Sequence, residues 1–248
     1  MIRKLFLTVA RFSSLRRDGI NVTLYITAFA LLFIFLHACK KDEVIQSAGP
    51  YYHYAPTDTG RWILYDVDST SYSILTTRYR FQVLERIDSV YIDGQGRPSL
   101  RLERFRRDSA GAPWHPEITI WNSTLTLQRY ERVEDNIRYV KLGFPIRENR
   151  TWDGNAYNNS IEDIYEYESV HSEYTQGSFY FDSALVVLRG APPNAIERKN
   201  GKEVFANHVG MIYREYYDLN IQQFDTTGAK YFYTMISYGL HNAPAPIP

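Results

Sequence analysis

Apolar and polar positions alternate along most of this chain, and that alternation predicts strands. Within residues 61–68, Ile63, Tyr65 and Val67 fall on one face; within 79–87, Tyr79, Phe81 and Val83 do the same. Leu100, Leu102 and Phe105, with arginines between them, make the next apolar set. Residues 93–98 and 109–113 are rich in Gly, Pro and Asp or Ser and read as turns. The runs 118–121, 125–130 and 137–142 repeat the pattern, separated by short polar breaks, and 143–159 reads as loop. Residues 161–174 allow a helix through Ile164, Tyr165 and Glu168, but Tyr165, Tyr167, Ser169 and His171 also alternate, so a strand is expected. The run 179–188 reads as a central strand, and 211–223 and 230–238 complete the set. The fold class expected is all-β and mainly antiparallel. A single large sheet would be curled into an open barrel or half-barrel, or folded over as a sandwich.

The first 38 residues follow another pattern. Arg3, Lys4, Arg11, Arg16 and Arg17 form a basic region, and residues 22–36 form an apolar stretch of about fifteen residues, against the roughly twenty that span a bilayer. The stretch ends at Leu36-His37-Ala38-Cys39, and Cys39 is the only cysteine of the chain. This segment resembles the signal of bacterial lipoproteins, with cleavage between Ala38 and Cys39 and lipidation of Cys39. Leu36 fits that pattern, whereas His37 departs from the usual small residue. Several acyl chains would make the anchoring stable. Lys40, Lys41, Asp42 and Glu43 resemble the export signal that sends lipoproteins of Bacteroidota to the outer face of the outer membrane. The organisation expected is a signal at 1–38, a lipidated tether at 39–56, one β-rich domain at 57–241 and a flexible tail at 242–248.

Three further stretches resemble uncharacterised lipoproteins of Bacteroidota: residues 60–65 (Gly-Arg-Trp-Ile-Leu-Tyr), 181–187 and 208–215 with its Val209-Gly210 pair. Residues 143–146 and 152–155 share the likeness. The aromatic after Trp62 sits one place later than in that group. The resemblance implies a lipidated β domain of unknown activity and brings no catalytic residues with it. Gly60 is expected to allow close backbone approach and Trp62 to pack.

Removing residues 1–38 leaves 210 residues with 23 basic and 27 acidic side chains, a net charge of −4. Without a basic excess, nucleic acid is excluded as an expected partner. The 21 Tyr, 13 Phe and 4 Trp suit strand packing and suit ligand contact equally.

Candidate chemistry is sparse. His53, His115, His171, His208 and His241 lie far apart in sequence, and only His171 and Glu173 are spaced to share a strand face, so no metal site is expected. Glu162, Asp163, Glu166 and Glu168 form an acidic cluster, in which Glu166 and Glu168 could face the same way as paired acids. Neither Asp182-Ser183 nor Asp68-Ser69 is set in a nucleophile turn, and there is no Gly-rich phosphate loop. Tyr51, Tyr52 and Tyr54, then Tyr213, Tyr216 and Tyr217, then Tyr231, Phe232 and Tyr233 crowd three segments and put aromatics on both strand faces.

The reading is therefore a membrane-anchored lipoprotein, held at the outer membrane and expected at the cell surface. It would act as a non-catalytic binding or accessory module for a glycan, a peptide or an outer-membrane protein, without a cofactor. The alternatives are a periplasm-facing factor that handles lipid or assists envelope assembly, working through an apolar concave face, and a hydrolase using Glu166 and Glu168.

Overall fold

The computed structural model describes residues 52–222 and 225–244. The signal, Cys39, the segment Lys40 to Glu43 and Tyr51 lie outside the described residues. After a 3-10 turn at Tyr52–Tyr54 come twelve strands: β1 (Arg61–Tyr72), β2 (Thr77–Ile92), β3 (Pro98–Arg107), β4 (Thr119–Leu125), β5 (Arg129–Glu134), β6 (Ile137–Gly143), β7 (Thr151–Asp153), β8 (Ile164–Gln176), β9 (Phe179–Gly190), β10 (Glu197–Ala206), β11 (Gly210–Gln222) and β12 (Asp225–Leu240). Every pairing is antiparallel. The all-β expectation holds, and residues 161–174 are strand, not helix.

The strands lie in the order β6-β5-β4-β3-β2-β1-β12-β11-β10-β9-β8-β7. The first and last strands therefore pair in the middle, and the sheet edges belong to β6 and β7, which follow one another in the chain. Those edges meet. Val140 N–H donates to the Gly154 carbonyl at 2.9 Å, and Trp152 Nε1–H donates to the Val140 carbonyl at 2.9 Å. A Cβ on Gly143 would lie 3.2 Å from the Trp152 ring, so glycine permits this approach. The curled sheet is thus nearly closed into a barrel, which hides both edges, and the sandwich alternative falls away. Bulges at Leu64/Tyr65, Ile87/Ser89, Tyr130/Glu131 and Val204/Phe205 add the local twist that closure needs.

Register decides which side chains face inward. Tyr65 pairs with Val83 and Val67 with Phe81, so the alternation read in β1 and β2 marks the interior. Phe105 lies three positions beyond Leu102, which places it on the opposite face. It packs with Leu64 and Leu84 in a separate outer cluster, under Trp114, Ile118 and Ala243. The expected strand across 125–130 is instead two strands and a turn. Thr126 Oγ1 accepts from the backbone N–H groups of Gln128 and Arg129, a hydroxyl turn that reverses the chain. Residues 143–159, read as loop, contain the short edge strand β7.

In an up-and-down sheet, alternate connections lie at opposite ends. The β2–β3, β4–β5, β6–β7, β8–β9 and β10–β11 connections share one end with the incoming segment 52–60 and with residues 241–244; this is the entry end. The β1–β2, β5–β6, β7–β8, β9–β10 and β11–β12 connections share the other, and the β3–β4 connection, which leaves on that side, folds back along the outer face so that Trp114 packs on Phe105. Two expectations are corrected at the entry end. Tyr54 and Ala55, read as tether, are each 1% exposed and belong to the interior core. Tyr54 Oη is 2.6 Å from Ser183 Oγ and 2.8 Å from His171 Nδ1, so the chain plugs the barrel as it arrives. Residues 242–244, read as flexible tail, are held by Ala243 packing and by Trp114 Nε1–H donating to the Pro244 carbonyl at 2.8 Å.

Candidate functional site: the charged mouth of the barrel

The inward rows are not uniformly apolar. Near the entry end they carry Tyr65, Leu185, Phe205 and Ile212, all at or below 1% exposed. Each such side chain removed from water stabilises the fold by about 1.5–3 kcal/mol. Further along, the same rows carry charge. Arg214 of β11 grips Glu134 of β5 with two bonds, at 2.8 and 3.0 Å, across the interior rather than along the sheet. Arg214 Nε also lies 2.8 Å from Glu203 of β10, which receives Lys141 of β6 at 2.5 Å. Arg132 of β5 donates to Glu85 of β2 at 2.6 Å, and Arg104 of β3 stands 3.4 Å from the same carboxylate. Three cations and three anions thus tie opposite walls together, with Arg104 at the margin.

Burial in this network decides protonation. It pushes Glu134 upward, but Arg214, Lys141 and Arg132 together outweigh it and hold the carboxyl well below the usual range. Glu203 is lowered against the same burial by Arg214 and Lys141. Lys141 goes the other way: burial and the Arg214 charge bring it down to about 8 in spite of Glu134 and Glu203.

Above the network, the end away from the incoming chain opens into a cleft of about 690 Å³. Its wall includes Tyr139 of β6, Arg189 of β9, Lys199 of β10, and Tyr216 and Asp218 of β11, all at inward register positions. The β7–β8 and β9–β10 connections bring Asn155, Glu162, Asp163 and Asn194 over it. Arg189 is the centre of the wall. Its Nε donates to Asp163 at 3.0 Å, and its guanidinium lies 4.4 Å from the Tyr216 ring, 5.0 Å from Tyr165 and 6.0 Å from Tyr139. Burial disfavours the Arg189 charge, yet Tyr165, Asp163 and Glu203 around it raise its pKa above the ordinary value. Beneath, the buried Tyr165 hydroxyl and Glu203 Oε2 have no hydrogen-bond partner among the described residues. Gly154 gives Tyr165 its place, since a Cβ there would fall 2.2 Å from the ring.

The candidate residues read from sequence scatter. Among the acidic cluster, Asp163 and Glu162 reach the cleft. Glu166 and Glu168 flank the inward Tyr165 and Tyr167 and lie outside the barrel core, with Glu168 exposed where the β8 register slips between Tyr167 and Ser169. They do not form a catalytic pair in the cleft. The same irregular stretch puts His171 at φ 53° and breaks the spacing that would align it with Glu173. The His53 and His208 rings lie 4.2 Å apart and tilted by 37°, and His115 lies 3.2 Å from Asp108. Among the described residues no three His, Cys, Asp or Glu side chains group as a metal site requires. Ser183 is engaged by Tyr54, and Asp68 by Arg78 and Arg80. Of the aromatic segments, Tyr216, Tyr231 and Tyr233 face in, while Tyr217 lies outside beneath Arg198 at 3.3 Å. Gly60 meets the expectation for it: its N–H donates to Ile87, its carbonyl accepts from His241, and its φ is +84°. Arg189, Lys199, Tyr139 and Asp218 were not read from sequence.

No family model matches the chain, and no curated protein matches it in sequence. Two solved structures are similar to it. One is a candidate exported protein with a YmcC-like fold from Bacteroides fragilis, at 12% identity and a TM-score of 0.44, covering 74% of this chain and 97% of that one. The other is a candidate lipoprotein from Parabacteroides distasonis, at 10% identity and a TM-score of 0.42, covering 75% and 98%. At this similarity neither assigns a site residue here.

Proposed function

We propose that this protein is a lipoprotein anchored through Cys39 in the outer membrane and displayed at the cell surface. Its barrel is a non-catalytic module that takes a hydroxyl-rich ligand, of which a glycan is the type, into the mouth around Arg189. The cleft carries the reading. It offers carboxylates, amides, two cations and two tyrosines within about 690 Å³, a volume inside the roughly 300–1,000 Å³ range of small-molecule sites. Such a mixed donor and acceptor set suits a ligand that must both give and receive hydrogen bonds. Lining acids outnumber lining cations, with Glu162, Asp163, Glu197 and Asp218 against Arg189 and Lys199, which disfavours polyanions.

The lipid-handling alternative has less support. An acyl chain needs an apolar cavity, and the gap among the described core residues Tyr54, Phe205, Met211 and Arg132 measures about 30 Å³, room for one water. The Lys40 to Glu43 segment supports display on the outer face, and protease treatment of intact cells, with Cys39→Ala as control, reads that part.

The binding claim is tested by applying the mature protein in detergent to an array of neutral glycans, anionic glycans and peptides. Neutral glycans are expected to bind, at least tenfold more weakly after Lys199→Ala or Tyr216→Ala and unchanged after Leu75→Ala. Glycan binding that ignores both mouth substitutions, or no glycan binding at all, removes the reading.

A further inference from the structure

The entry end exposes a group of large apolar side chains that the folding of the barrel does not explain. The incoming chain passes between two strand ends, with Gly60 N–H on the Ile87 carbonyl and the Gly60 carbonyl on His241 N–H. On one side, three to five residues beyond Ile87, stand Val90, Tyr91 and Ile92, at 50%, 40% and 64% exposure. On the other side, just before His241, stand Tyr238 and Leu240, at 39% and 49% exposure. Aliphatic and tyrosine side chains thus flank the point where the chain enters. The far end exposes apolar side chains as well, with Ile74, Leu75, Ile161 and Ile196 on three connections and Tyr79, Ile137, Tyr157 and Ile164 beside them, but the chain from Cys39 arrives at the entry end.

We infer that this entry-end rim rests on the lipid bilayer that holds Cys39. The occupant follows from the chain itself. Thirteen residues lead from Cys39 to Tyr52, a span of at most about 45 Å at full extension, and they join the barrel at this end, so the anchor brings this end to the membrane surface first. Tyrosine with its apolar ring and polar tip suits the headgroup boundary, and a second weak contact turns a held domain into an oriented one. The cleft around Arg189 would then face away from the bilayer. The inference rests on the Cys39 anchoring in the proposed function.

The test uses the full lipidated protein in vesicles of phosphatidylethanolamine and phosphatidylglycerol carrying brominated acyl chains. Acylation of Cys39 is read separately by mass spectrometry. Ile92→Cys, Leu240→Cys and Leu75→Cys, each at an exposed position, carry an environment-sensitive fluorophore. The rim labels are expected to lose about half their emission to the brominated chains, as side chains seated some 5–10 Å into the boundary do, and the Leu75 label to lose none. Acylated protein whose rim labels are no more quenched than the Leu75 label overturns the rim and leaves the anchor standing. Mature protein without acyl chains overturns the anchor and the rim with it.

Discussion

Near the incoming chain the inward positions hold Tyr54, Leu185, Phe205 and Ile212, and packing alone fills the barrel. Toward the other end the same rows hold Lys141, Glu203, Arg214, Arg189 and Asp218, and a cleft of about 690 Å³ stays open. Apolar side chains fill space in any arrangement that fits, so the first region closes on itself. Charges must meet partners at fixed distances, so the second region is a frame of cross-barrel ion pairs with a wet opening above it. Packing stabilises the first region, the proposed recognition falls in the second, and the buried ion pairs between them are costly chiefly when one partner is removed.

The sharpest way to break this division is Glu134→Gln. It strips Arg214 of its bidentate partner in a buried site and is expected to cost about 3–5 kcal/mol in urea unfolding. Because Glu134 titrates well below its ordinary value when folded, its contribution is complete above about pH 4.5 and fades as pH falls toward its folded pKa. The Glu134→Gln deficit is therefore expected to shrink below pH 4.5. Leu185→Ala, in the apolar region, is expected to cost about 3 kcal/mol with no such pH dependence. If both deficits follow pH alike, the division between the regions fails.

Gly154→Ala comes next. It forces the Tyr165 ring aside where β7 meets β6 and is expected to cost about 2 kcal/mol. It should also weaken ligand binding, since Tyr165 backs Arg189, and a thermal melt with a binding titration reads both. The smallest expected effect belongs to Lys141→Met. Lys141 falls to about 8 in the fold from 10.5, so its charging penalty is fully present below pH 8. Above pH 8 the unfolded chain holds the extra proton, and stability climbs with pH until tyrosine ionisation in the unfolded chain opposes it near pH 10. The Met variant is expected to lose that climb while changing stability at pH 7 by less than about 2 kcal/mol. A climb that persists without Lys141 assigns it to another group.

Period-two alternation carried the fold, because a strand with one side in a core must repeat every second residue. Ile63, Tyr65, Val67, Phe81 and Val83 show this directly. It failed where spacing slipped: Phe105 is an odd step from Leu102, and the 125–130 run hides the Thr126 turn. The mouth was mostly illegible. Asp163 stood out as part of an acidic cluster, but its partner Arg189 is 26 residues away and meets it only through the pairing of β8 with β9. One signal was present. Glu85 sits two residues from Val83 and from Ile87, and Arg214 two residues from Ile212 and from Tyr216, so side chains of opposite charge occupied core-phase positions in two strands. Sequence shows that phase but not which strands face each other across a closed barrel.

The most direct measurement is chemical-shift mapping of the isotope-labelled mature protein as a neutral oligosaccharide bound on the array is titrated in. The account predicts shifts at the Arg189 side-chain N–H, Lys199, Tyr216 and Asp163, with the Tyr54, Leu185 and Phe205 region still. Shifts centred on the Tyr54 end, or on the outer face around Leu64 and Trp114, would contradict it.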